Sequence, residues 1–304
     1  MIDLSVEIAG VRLANPVLPA SGTWEFSEQS EAGTPAASLG AVINKTIFRD
    51  PRPGNPPPRL WETPGGMLNA IGIPSEGIDK FLSHKLPQLS SLGPPVIASI
   101  AGGDVEEFCE LAMRVSDSGG ADLLELDLSC PNLGHGALWA EDEAVLAEVL
   151  KAVRGNSDLP VIAKLSPNVT DIARMAQVAE QAGAAALALV NTYKGMAIDV
   201  RTARPALGNV SGGLSGPAIR PLAVYAVWKV YEAVSIPLIG MGGIAGWQDA
   251  AEHLLAGASA VAVGMYNFVN PGAMKEVLAG LTDYLTAGGF ASVREIIGLA
   301  HRSS

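Results

Sequence analysis

The octapeptide LDLSCPNL, residues 126–133, brings a carboxylate, a thiol and an amide close together as Asp127, Cys130 and Asn132. A thiol in such a place can act as nucleophile, metal ligand or general base. Pro131 cannot donate a ladder hydrogen bond, so the strand should end there and the thiol should face whatever lies beyond it. A metal role is disfavoured: there is no CxxC pair, and His84, His135, His253 and His301 are scattered. The other cysteine, Cys109, falls in the helical pattern EEFCELAM and should pack as a small apolar residue.

Two lysines, Lys45 and Lys164, end the apolar runs AVINKT and VIAKLSP. A lysine facing an apolar interior is costly unless it meets an anion or a polar ligand. Comparable run ends carry Ser21, Thr46, Asn191 and Thr192. Late in the chain, IGMGGI (239–244) and VGM (263–265) place Gly242, Gly243, Gly264 and Met265 where backbone N–H groups can meet a phosphate. A phosphate with two lysines fits a phosphorylated, electron-accepting ring such as FMN, one lysine answering the negative charge of the reduced ring. A phosphorylated sugar fits the same groups.

These residues need a scaffold that gathers strand ends. Eight short apolar runs recur: NPVLPASG (15–22), AVINKT (41–46), PVIASIAG (95–102), LLELDLSC (123–130), VIAKLSP (161–167), LALVNT (187–192), PLIGMGG (237–243) and AVAVGM (260–265). Near-continuous apolar strands suit a parallel sheet covered on both faces. Between them lie patterns with apolar residues at three- and four-residue spacing, several opening on Asp or closing on Gly: DVEEFCELAMRVSDSG, DEAVLAEVLKAVRG and DIARMAQVAEQAG are examples. The stretch WEFSEQSEAGTP is a weaker helix pattern. Eight β/α units with no linker predict a single (β/α)8 TIM barrel spanning residues 1–304 as one domain. LSVEIAGVRLANP reads as an N-terminal β-hairpin closing the barrel bottom, and two Gly/Pro-rich insertions, roughly 49–75 and 193–215, should sit at the C-terminal mouth.

Composition narrows the partners. The chain of 304 residues is 48% apolar and 17% charged, with a net charge of −11, which argues against a nucleic-acid or anionic-membrane partner. The start MIDLSVEIAG lacks a signal peptide's basic and long apolar regions, and no run approaches the roughly 18–20 apolar residues that span a bilayer. A soluble cytoplasmic protein is expected.

Taken together, PASGT (19–23), NKT (44–46), RDPRPGNPPPRLWETPGGMLNAIG (49–72), LSCPN (128–132) and KLSPNVTDI (164–172) resemble the class 1 dihydroorotate dehydrogenases, most closely the class 1B catalytic subunit. NTYKGMAIDV (191–200), NVSGGLSGPAIRP (209–221), IGMGGI and GASAVAVGM (257–265) continue the resemblance through nearly the whole chain. The resemblance implies a barrel that oxidises (S)-dihydroorotate to orotate in pyrimidine synthesis. It implies FMN held by Ser21, Lys45, Thr46, Asp127, Lys164, Val190, Gly216, Gly242, Gly243, Gly264 and Met265. Substrate would meet Lys45, the loop Asn69, Ala70, Ile71, Gly72 and Ile73, then Asp127, Asn132, Asn191 and Thr192. Cys130 would be the general base for the C5 proton while C6 gives hydride to flavin N5, and the loop NLGHGALWAEDE would be a lid. Class 2 members use serine as base and carry an N-terminal membrane-associating segment; this chain is expected to have neither, as in class 1. By the same resemblance a second subunit with FAD and a [2Fe–2S] cluster would pass electrons to NAD, around a homodimer of this chain. The chain itself has no dinucleotide fingerprint and only two cysteines.

Two departures stand out. The family usually has asparagine at the position of Asp127, so an amide's donors are exchanged for a negative charge. IGIPSEG stands where the family typically reads IGLQNPG, and Glu76 is expected to cap the following helix. Two other readings stay open on the residues: a flavin barrel acting on another dihydropyrimidine, whose members typically read SCPH rather than SCPN, and an idle scaffold subunit.

Overall fold

The computed structural model describes residues 2–128 and 139–303. Strands β1 (Val6–Ile8) and β2 (Val11–Leu13) pair antiparallel around Ala9 and Gly10, both at positive φ. The chain next lays down β3 (Val17–Pro19) and β4 (Val42–Ile43), then departs into β5 (Leu60–Thr63) and β6 (Gly66–Asn69). It returns with β7 (Val96–Ile100), β8 (Leu123–Asp127), β9 (Val161–Lys164) and β10 (Ala186–Leu189). A second excursion holds β11 (Tyr193–Gly195), β12 (Ile198–Asp199), β13 (Arg204–Pro205) and β14 (Gly212–Ser215), before β15 (Leu238–Met241) and β16 (Ala260–Val263).

Eight strands form one sheet in the order β3-β16-β15-β10-β9-β8-β7-β4, and every neighbouring pair is parallel. The predicted (β/α)8 barrel is therefore the observed fold, and the hairpin sits before β3, at the N-terminal end. The strands are apolar because both faces are covered: β7, β8, β9, β10, β15 and β16 are buried throughout. The sheet closes between its first two strands, where the Gly40 N–H donates to Val17 O at 2.8 Å. A Cβ at Gly40 would run into the carbonyl oxygen of Asn15, so closure depends on a bare backbone there.

Helices run between the strands as the periodicity predicts. Asp104, Asp142 and Asp171 cap those at Val105–Ser118, Glu143–Arg154 and Ile172–Gln181 by accepting N–H groups of the first turn. The helical stretch 78–90 is not uniform. It widens over Phe81–Lys85, where the Leu86 N–H reaches back to Phe81 O, because Pro87 has no N–H for the ordinary ladder. No helix among the described residues is long and apolar enough to cross a membrane.

The two insertions are more ordered than their Gly and Pro content suggests. Strands β6 and β14, one from each, pair antiparallel with Asn69 opposite Gly213, giving a four-stranded sheet β11-β14-β6-β5. Leu68, Ala70 and Leu207 form its own small core. Since β11 follows β10 directly, this sheet stands over the C-terminal ends of the barrel strands.

Gly40→Ala should force β3 and β4 apart and lower the unfolding free energy by roughly 1–3 kcal/mol, the usual cost of overpacking. Urea denaturation of the two proteins side by side checks it.

Candidate active site

At the mouth, polar side chains from successive strand ends form one chain of hydrogen bonds. Alternation on β8 turns Glu125 and Asp127 to the barrel interior while Leu124 and Leu126 face the helices. Ser99 on β7 donates to Glu125 Oε1 at 2.9 Å, which leaves its oxygen to accept from Thr46 Oγ1, also at 2.9 Å. Thr46 lies 3.4 Å from Ser21 Oγ and 3.5 Å from Asp127 Oδ2. Lys164 Nζ donates to Ser21 Oγ at 2.9 Å and stands 3.6 Å from Glu125 Oε1. Asn191 Nδ2 reaches Asp127 Oδ1 at 3.2 Å, while its Oδ1 accepts the Thr192 N–H. Asn44 completes the floor, bonding both backbone groups of Ser99.

Lys164 is 5% exposed and Glu125 2%. Burial by itself would drive Lys164 toward the neutral amine, but the charge of Glu125, and then of Asp127, outweighs it and holds the pKa above the usual lysine value. The ammonium is thus charged throughout the neutral range. Asp127, opposite Lys164 in the β8–β9 register, is buried and accepts the Asn191 amide.

The opposite arc of the mouth offers backbone instead. Gly242 and Gly243 follow β15 at φ 116° and 77°. A Cβ on Gly243 would enter the backbone of Arg220, and one on Gly242 would crowd Ala223 and Ile219. Gly243 is buried, and its N–H meets no protein acceptor among the described residues. A buried donor in that state calls for a ligand. His253 Nε2 lies 3.1 Å from Gly242 O; since a carbonyl only accepts, Nε2 carries the proton. Burial holds the pKa of this imidazole down at about 4, so it is neutral. Gly216, at φ 101°, leaves room for the Met265 methyl and for Gly66. Val190 is buried with a methyl near Gly242. A buried ammonium on one arc and a bare, acceptor-less N–H on the other suit a phosphorylated ring system lying across the mouth.

Most of the sequence-predicted residues therefore come together. Lys45 packs against Gly22, whose absent side chain makes room for it. Thr192 lies under Gly213 of β14, and Asn69 donates to Gly213 O at 3.3 Å, so the insertions bring Asn69 toward the strand ends. Two residues of the Asn69–Ile73 loop turn inward instead: Ala70 packs in the insertion core and Ile73 against Phe48 and Ala101. Any contact they make with a ligand runs through backbone. Glu76 does not cap the next helix; Gly77 occupies that position, and Glu76 pairs with Lys80 at 2.8 Å on the surface. Cys109 is half-buried against the barrel's helical layer. Cys130, Asn132, His135 and most of the expected lid lie outside the described residues.

Sequence reasoning missed Glu125, Ser99, Asn44 and His253. For Glu125 a signal existed: it is the lone charge two residues before Asp127 in an apolar run, hence on the same face of the strand. Beside the mouth, a cleft of about 440 Å³ reaches Lys45 and Thr46 between Trp24, Phe26, Phe81 and Phe268.

The dihydroorotate dehydrogenase family model matches residues 3–285. The chain is 52% identical over 303 residues, 99% of each chain, to "Dihydroorotate dehydrogenase B (NAD(+)), catalytic subunit" of Desulforudis audaxviator. Proteins of the same name in Desulforamulus reducens and Geotalea daltonii are each 48% identical, over 99% and 97% of each chain.

Glu125→Gln keeps the shape and the Ser99 contact but strips Lys164 of its buried counter-charge. Breaking such a pair should cost about 3 kcal/mol, at the low end for buried pairs because Asp127 remains. Denaturant unfolding of wild type and variant measures it.

Proposed function

Because the chain belongs to the dihydroorotate dehydrogenase family, we propose that it oxidises (S)-dihydroorotate to orotate as the catalytic subunit of a class 1B enzyme. FMN is the flavin the mouth suits best, and NAD is the final acceptor, reached through a second subunit carrying FAD and a [2Fe–2S] cluster on a homodimeric core. The observation that carries the flavin reading is that one mouth holds both the protonated Lys164 and, two strands along the barrel, the acceptor-less N–H of Gly243.

Bound there, FMN would supply the acceptor for the hydride that leaves C6 of dihydroorotate. The chain's residues do the rest. Cys130 takes the C5 proton, so that one proton and one hydride leave and the ring double bond forms. Lys164, kept charged by Glu125 and Asp127, is in place to answer the negative charge of the reduced ring. Ser21 and Thr46 orient it from the first two strand ends. Gly216, Gly242, Gly243, Gly264 and Met265 would hold the phosphate, with Val190 beside Gly242. Asn69, Asn132, Asn191 and Thr192 meet the substrate ring with amide and hydroxyl groups, while Lys45 and the Ile71–Gly72 backbone meet its carboxylate.

Dihydroorotate added anaerobically to the purified yellow protein should bleach the visible flavin bands, and dihydrouracil should not. A flavin that stays oxidised with dihydroorotate would remove the substrate assignment. Cys130→Ala should slow the bleaching by about 10²–10⁴-fold, the range of a general base, with flavin content unchanged.

Asp127 sets a second expectation. It adds a negative charge where the family usually has an amide, in a site meant for an anion. Asp127→Asn should lower the KM for dihydroorotate by up to about tenfold, as expected for two charges some 12 Å apart at an effective dielectric near 20. Steady-state kinetics on both proteins reads this directly.

A further inference from the structure

Helix Trp247–Leu255 presents three side chains on one face, Asp249, Glu252 and His253, spaced by three and four residues. All three work on the loop that follows β15. Asp249 Oδ2 accepts the N–H groups of Ala245 and Gly246 at 2.8 and 2.9 Å, and its other oxygen pairs with Arg220. Glu252 pairs with the same guanidinium at 3.2 Å. The backbone of Arg220 in turn fills the place where a Gly243 side chain would be. His253, fully buried, reaches Gly242 O.

The His253 contact has a directional consequence. In a planar trans peptide, the carbonyl of one residue and the N–H of the next point opposite ways. With Gly242 O held toward His253, the N–H of Gly243 must point away from the helix, on the side where it finds no protein acceptor among the described residues. Gly242 and Gly243 sit at φ values that glycine alone adopts readily, so nothing intrinsic to the loop holds this peptide plane. Gly240 makes room for the imidazole: a Cβ there would come within 2.8 Å of His253 Nδ1. Nδ1 itself has no hydrogen-bond partner among the described residues, so the ring is committed to the single bond through Nε2.

We propose that His253 is a positioning residue for the flavin phosphate: its bond to Gly242 O turns the Gly243 N–H toward the phosphate. The proposal rests on the flavin reading given above. It concerns discrimination for the phosphate and leaves the ring-binding arc, with Lys164 and Ser21, untouched.

The test is a titration of the flavin-stripped full-length protein with FMN and with riboflavin, which lacks the phosphate, followed by quenching of flavin fluorescence. Wild type should prefer FMN strongly. His253→Leu should lose about tenfold to hundredfold of FMN affinity, the worth of one hydrogen bond to a charged group, with riboflavin affinity within about twofold of wild type. His253→Gln places an amide N–H near the Nε2 position and should recover most of the preference; His253→Asn is too short and should not. The Gln and Asn pair answers the question even if the Leu variant does not fold. Equal loss of both flavins in His253→Leu, or equal FMN preference in the Gln and Asn variants, would overturn the positioning role. A wild-type protein that binds both flavins equally, or neither, would overturn the phosphate site and this proposal with it.

Discussion

A lysine held inside a parallel barrel is the constraint on which the mouth depends. Lys164 gains nothing from its apolar neighbours; it can stay charged at 5% exposure only because Glu125 lies 3.6 Å away and Asp127 faces it from the next strand. Each of those groups needs partners of its own. Glu125 takes the Ser99 hydroxyl, Ser99 takes Thr46, and Asp127 takes the Asn191 amide. Ser21 then accepts from Lys164 itself. The chain of contacts runs through six of the eight strand ends, so β3, β4 and β7 to β10 are tied in register by polar bonds as well as by apolar packing. Slipping any one of them by a residue would point its polar group into the helical layer and leave a buried charge without a partner.

The remaining two strands work by a different rule. β15 and β16 send no charged side chain to the mouth; they end in glycines, and the chemistry there belongs to the backbone. A bare backbone is versatile but has no preferred orientation of its own. The surrounding helices supply it, with Arg220 filling the space beside Gly243 and the face of Trp247–Leu255 gripping the loop from behind. Side chains that select and backbone that cradles thus occupy opposite arcs of one ring. That division is possible because a barrel brings all eight strand ends to one place.

This division also explains what could be read from the sequence and what could not. Strand ends were legible because covered parallel strands are apolar runs, and a lysine or a glycine pair at the end of such a run stands out. Glu125 was visible by the same logic but was masked by the more conspicuous Asp127 and Cys130. The four-stranded sheet over the mouth was not legible: its strands are three or four residues long, three of the four carry glycine, and β6 and β14 pair across some 140 residues of chain, as Asn69 with Gly213. Local pattern carries no trace of such a pairing. His253 was equally hidden, because at a buried position in a helix a histidine looks like any other core residue until its carbonyl partner is seen. Glu76 shows the opposite failure, since an acid just before a helix suggested a cap and the structure uses it in an i,i+4 ion pair.

Counting Glu125 changes the electrostatic picture of the mouth. Lys45 and Lys164, taken with Asp127 alone, would leave one positive charge for an anion; taken with both carboxylates, the formal balance is zero, since two positive charges meet two negative ones. With an asparagine in place of Asp127, the same arrangement would keep a net positive charge. The two carboxylates are not equivalent, however. Glu125 lies deeper, spent on Lys164 and Ser99, and acts on the ammonium's protonation rather than on a ligand. Asp127 is nearer the strand end and takes up the Asn191 amide. On the proposed reading, then, attraction for an anionic substrate draws on oriented backbone dipoles as well as on side-chain charge, with Lys164 already answered from below. Backbone dipoles act only at close range and only if their peptide planes are held, so the more the side-chain charges cancel, the more binding depends on how firmly the loops are braced.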